Sequence, residues 1–162
     1  MELSLFGEWA EKNGWRSEPP SRNFSVSEHP VLSRYQGLGE IAQYIAFLNS
    51  FSRLESKDEC VWFLFPDDFK TENDTNEFAW NEFERISAEA SFDDREAASV
   101  REWWSRHLPI LLSVRNGYSF YAIDIDTQNI VYGFEPEFEE TSIAANSFEE
   151  FLKKIISGEI SL

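Results

Sequence analysis

The sequence predicts an α+β fold in which a single, mainly antiparallel sheet is covered by α-helices. Residues 110–135 contain three strand-length apolar or aromatic runs parted by short polar turns, and a fourth apolar run stands at 60–65. The segments around these runs repeat apolar residues at helical spacing. A length of 162 residues suits one domain spanning 1–162.

Taken in order, residues 3–13 form an amphipathic helix with Leu3, Phe6, Trp9 and Ala10 near one face, and Gly14 stands where a helix C-cap needs it. Residues 15–36 carry Pro19, Pro20 and Pro30 among Ser, Asn and Arg, which predicts an irregular arm tethered by Phe24, Val26 and Val31. Residues 40–51 place Ile41, Tyr44, Ile45, Leu48 and Phe51 on one helical stripe. The continuous apolar run at 60–65, bounded by charged residues and by Pro66, reads as a strand in the middle of the sheet. From Asn76, the spacing of Ala79, Trp80, Phe83, Ile86 and Ala90 predicts a helix. A second helix begins among the acids Asp93, Asp94 and Glu96 and carries Ala97, Val100, Trp103 and Trp104, ending before Pro109. Strands follow at 110–115, 118–125 and 130–135, the first two joined by Asn116-Gly117, a dipeptide suited to a tight hairpin. Ser147 and Glu150 form a capping box, behind which Phe148, Phe151, Leu152 and Ile155 make the apolar face of a last helix.

Fourteen basic residues against 30 acidic ones give a net charge of −16. Nucleic acid and anionic membranes are thereby disfavoured as partners, since their binders place Lys and Arg on the contact face. A basic protein partner is favoured instead. The acids concentrate in two runs. Residues 67–96 hold eleven acids and three basic residues, and residues 135–150 hold six acids and no basic residue. Trp80, Phe134 and Phe138 lie within these runs, and an aromatic anchor framed by charge has the composition of a recognition site. Asp67, Asp68, Glu72, Asp74, Glu77, Glu135, Glu137, Glu139 and Glu140 are therefore candidates for the partner-binding field, with Trp80, Phe134 and Phe138 as its anchors.

Little points to catalysis, and no cofactor is implied. His29 and His107 stand far apart with no metal or nucleophile partner beside either, and a helix C-terminus accounts for His107. Gly-rich phosphate loops, Cys clusters and Gly-x-Ser-x-Gly elbows are absent. Asp124, Asp126 and Gln128 resemble the start of a calcium loop, with Glu135 at its twelfth position, but Asn129 stands where Gly is required and a strand follows. A turn in which Asp and Asn bond their own backbone is the favoured reading. The lone Cys60 sits beside Val61, Trp62 and Phe63 and reads as a buried small hydrophobe. The first residues lack the basic start of a signal peptide and no apolar run approaches membrane-spanning length, so a soluble, cytoplasmic protein is expected.

The C-terminal third carries a further signal in the order of its motifs. Leu108-Pro109-Ile110, a short strand, Gly117, Tyr121-Ala122-Ile123-Asp124-Ile125-Asp126, a polar turn, Ile130-Val131-Tyr132, an acidic loop and the run from Ile143 to Leu152 follow one another. This order over residues 109–152 resembles the signature of the SUKH superfamily, related to the yeast glucan-synthesis regulator. The resemblance implies a non-catalytic binding protein. Many bacterial members are immunity proteins that neutralise a cognate toxin, often a nuclease, and an acidic surface suits the phosphate-binding face of such a toxin. A regulatory or scaffold module that binds a cellular protein is the alternative.

Overall fold

The computed structural model describes residues 3–20, 22–71 and 78–162. Among these residues, the chain forms five α-helices and seven strands: α1 (Leu3–Lys12), β1 (Arg16–Glu18), α2 (Ala42–Leu48), β2 (Arg53–Glu55), β3 (Val61–Phe63), α3 (Glu82–Glu89), α4 (Asp94–Ser105), β4 (His107–Ser113), β5 (Ser119–Asp124), β6 (Ile130–Phe134), β7 (Ser142–Ala145) and α5 (Phe148–Ser157). The strands make one antiparallel sheet in simple sequence order, β1 to β7. The α+β expectation therefore holds, with β4 at the centre instead of the 60–65 run. β4 begins at His107, so Pro109 lies inside it. Its pairing with β5 shifts register between Pro109 and Leu111, and β3 reaches only as far as Leu111, so no neighbour needs an N–H from Pro109 on that side.

Cross-strand rows define two faces. Trp62, Leu112, Phe120 and Gly133 form one row, while Phe63, Leu111, Tyr121 and Tyr132 form the next and point the other way. Phe6 of α1, Phe47 of α2 and Phe151 of α5 pack against Phe63 with ring centroids 5.7, 5.1 and 6.4 Å away. Phe83 of α3 and Trp104 of α4 pack on Phe120, on the opposite face, at 5.9 and 4.9 Å. Helices thus cover both faces of the sheet, and each face contributes buried aromatic area.

The segment at 15–36 is more ordered than its prolines suggest. It supplies edge strand β1 and short 3-10 turns at Val26–Glu28 and Leu32–Arg34, and Val31 and Leu32 are fully buried. His29 fastens it. The ring Nδ1 accepts from the backbone N–H groups of Val31 and Leu32, both at 3.1 Å, so the proton lies on Nε2, which donates to the Pro66 carbonyl at 2.8 Å. His107 caps α4 instead, its Nδ1 2.7 Å from the Trp103 carbonyl and its ring stacked 3.8 Å from the Trp103 indole. The hairpin turn and the helix cap predicted for the C-terminal half are both present. Gly117 turns the β4–β5 hairpin at φ +89°, and the Ser147 side chain accepts from the Glu150 N–H to start α5.

Gly133 is needed for a different reason. A Cβ built there would lie 2.6 Å from the Phe120 ring and 2.6 Å from the Phe138 carbonyl oxygen. Only a residue without a side chain lets the β6–β7 connection lie this close to the sheet. Gly133→Ala is expected to cost about 1–3 kcal/mol through overpacking, because one of the two collisions is with backbone that cannot rotate away. Chemical denaturation of the pure variant checks this, and an unchanged midpoint would mean that the connection sits elsewhere.

Candidate functional site

The start of the first acidic run and the second run leave the sheet at opposite ends, but α3, later in the first run, lies against the second, where Ser87 donates to Glu139 at 2.6 Å and Phe83 stacks on Phe138. β3 and β6 run in opposite directions within the antiparallel order, so the turn at Pro66–Asp68 follows the end of β3 on one side and the 135–141 connection follows β6 on the other. Asp67 and Asp68 therefore stand apart from the acids of 135–140. Glu72, Asp74 and Glu77 lie outside the described residues.

Several predicted anchors and acids prove to be structural. Trp80 is 8 % exposed, its indole N–H donates to the Lys70 carbonyl at 3.0 Å and its ring packs 5.4 Å from Phe69. Phe138 is 1 % exposed and stacks on Phe83 at 4.7 Å with an interplanar angle of 8°. Neither can act as a surface anchor in this fold. The reason is a crossing of faces: Phe134 continues the row of Val61, Ser113 and Ser119 on the α5 side, whereas the chain then rounds the sheet and drives Phe138 into the α3–α4 side. Glu139 follows it inward. One of its carboxylate oxygens accepts from the Ser87 hydroxyl at 2.6 Å and the other from the Trp104 indole N–H at 3.0 Å, so it fastens the connection to both helices and is not part of a free acidic field. Glu135 accepts from the Tyr118 N–H at 3.0 Å and clasps the end of β6 to β5 while remaining exposed. At the far end Asp68 accepts from the Phe65 N–H at 2.8 Å, closing its own turn, and Asp67 lies 3.8 Å from Arg22.

Phe134, Glu137 and Glu140 remain. Phe134 is 56 % exposed, and the side chains of Glu137 and Glu140 are exposed with no hydrogen-bond or ionic partner among the described residues. Beside Phe134 the α5-side face is not fully roofed, and a cleft of about 330 Å³ opens there, lined by Ser113, Asn116, Ser119, Tyr121, Tyr132 and Phe134. The Tyr121 and Tyr132 rings lie 4.9 Å apart, and Tyr132 and Phe134 5.7 Å apart. Burial, with the neighbouring Tyr132 adding to it, pushes the Tyr121 phenol up to about 12, so it stays neutral. The aromatic members were legible only as core strand. Their signal is the Tyr132-Gly133-Phe134 alternation, which puts two rings on one face with no bulk between them.

Arg115 lines the same cleft but is already committed. Its guanidinium holds both carboxylate oxygens of Asp58, the second contact being 3.1 Å, and Asp58 also accepts from the Ser56 hydroxyl at 2.6 Å and the Cys60 N–H at 3.2 Å. The Ser56 hydroxyl and the Arg115 guanidinium, in that order, hold the Asp58 carboxyl down at about 2. A depressed carboxylate stabilises the fold above its unfolded pKa and loses that contribution as pH falls through the folded value. The stability difference between the wild type and Asp58→Asn is therefore expected to be constant near neutrality and to shrink progressively as pH drops below about 4 toward and through about 2. Denaturant melts at stepped pH check it, and a difference that does not shrink would contradict the pairing. Cys60 itself is half-buried against the core.

Comparison with known protein families, with curated proteins and with solved structures finds no match to this chain.

The calcium-loop donors do not converge. The Asp124 carboxylate accepts from the backbone N–H groups of Asp126 at 3.0 Å and Thr127 at 3.4 Å, which is the self-bonded turn that the sequence favours, and Glu135 is held by Tyr118. Among the described residues no three His, Cys, Asp or Glu side chains are grouped to hold a metal ion, and no helix is long and apolar enough to cross a membrane.

Proposed function

We propose that the chain is a non-catalytic binding protein that engages a basic protein through the surface at the end of β6. The observation that carries this reading is an exposed Phe134 followed within six residues of the chain by exposed Glu137 and Glu140, which have no hydrogen-bond or ionic partner among the described residues. An exposed aromatic near unpaired charge in the chain is poorly explained by folding alone and has the composition of an interface anchor. With a net charge of −16, the whole chain steers a cationic partner toward it. The resemblance of residues 109–152 to the SUKH superfamily extends the reading: the partner is a toxin, of a nuclease type that presents a basic surface to phosphates, and the chain acts as its immunity protein.

Co-expression with a toxin encoded beside its gene tests this. Wild-type chain is expected to restore growth, and Glu137→Lys combined with Glu140→Lys to weaken the purified complex at least about tenfold, mainly through slower association at low salt. Equal killing with and without the chain, or charge reversal that leaves affinity and protection intact, would overturn the reading. Tight binding to a cellular protein without any toxic activity would instead identify a regulatory module.

A further inference from the structure

We propose that the cleft over β4–β6 seats an arginine side chain of the basic partner, with its guanidinium laid on the rings of Tyr132 and Phe134 and its stem against Tyr121. The choice of a cationic occupant rests on the proposed function above; the shape of the site is independent of it. A volume of about 330 Å³ lies at the lower end of small-molecule sites and suits one long side chain. Three rings in file at 4.9 and 5.7 Å offer π faces to a planar cation, and Phe134 leaves the open end accessible. A guanidinium fits this better than an ammonium, since it stacks on aromatic faces, sheds water more readily and carries its donors in a fixed fork. Acceptors for that fork are present. The Tyr121 and Tyr132 hydroxyls make no hydrogen bond among the described residues, and Asn116 and Ser119 line the same walls.

The one cation already lining the cleft does not oppose this occupant. Both oxygens of Asp58 hold the Arg115 guanidinium, so its charge is matched locally. A surface built from Tyr, Ser and Asn is also the kind that antibody combining sites use, because such side chains give rigid amphipathic contact at small entropic cost.

The test uses three capped tripeptides, acetyl-Gly-X-Gly-amide, in which X is arginine, its neutral isostere citrulline, or glutamate, titrated into the full chain and followed by NMR. The arginine peptide is expected to shift the amides of Ser113, Ser119 and Tyr132, with the citrulline peptide weaker by about three- to tenfold and the glutamate peptide inert. Phe134→Leu, an exposed change that leaves the fold intact, should reduce the arginine response, as should Tyr132→Leu. Equal affinity for citrulline, a response elsewhere on the chain, or no response to arginine overturns the proposal. A chain that takes the arginine peptide in the cleft yet gives no protection against a basic toxin refutes the immunity reading alone, and protection with an unresponsive cleft refutes only the arginine seat.

Discussion

Phe138→Ala is expected to lower the stability of the fold by about 3–5 kcal/mol, the range for truncating a fully buried phenylalanine. The ring stacks on Phe83 at 4.7 Å, approaches Phe120 at 6.3 Å and closes the α3–α4 side of the sheet. Its removal leaves a cavity whose floor is the sheet and whose roof is a connection held by Glu139 at Ser87 and Trp104 and by Glu135 at Tyr118. Collapse is restricted because both walls are regular structure, so the larger part of the range applies. A shift of the denaturation midpoint at unchanged slope is the expected readout. A loss below about 1 kcal/mol, with binding impaired instead, would return Phe138 to the role of a surface anchor.

Phe134→Ala has the opposite signature. The ring is 56 % exposed at the end of β6, so stability should change by no more than about 0.5 kcal/mol, as for surface substitutions in general. Affinity for the proposed basic partner should fall by at least about 2 kcal/mol, some thirtyfold, because an exposed aromatic anchor carries a disproportionate share of binding energy. Calorimetry of the complex and denaturation of the free chain separate the two effects. Equal affinity for wild type and variant would remove Phe134 from the interface.

These two phenylalanines also mark how far the sequence could be read. Both sit among glutamates in one short stretch, and composition gives no reason to separate them. What separates them is Gly133, whose missing side chain lets the connection fold back across the sheet, a three-dimensional close approach that leaves no local pattern. Elements with long periodicity were legible: α4, α5 with its Ser147 cap, and the β4–β5–β6 meander with its Asn116-Gly117 turn. β1, β2 and β7 were not, because three or four residues are too few to show an alternation, and Arg16, Ser17 and Glu18 of the edge strand are all exposed. His29 escaped notice because its partners are backbone groups, two of them local and the third 37 positions away at Pro66. Glu139 looked like surface charge for the same kind of reason: its donors, Ser87 and Trp104, come from two different helices. Sequence charge counts acids without saying which of them a folded chain has already used.

The most direct test is hydrogen exchange of the chain alone and in complex with the basic toxin that the proposed function assigns as its partner. Slowed exchange is predicted at 119–121 and 132–134 and across 137–140, with little change at 66–71 on the opposite end of the sheet. Protection confined to 66–71, with the β6 end exchanging as in the free chain, would contradict the assignment of the working surface to Phe134, Glu137 and Glu140.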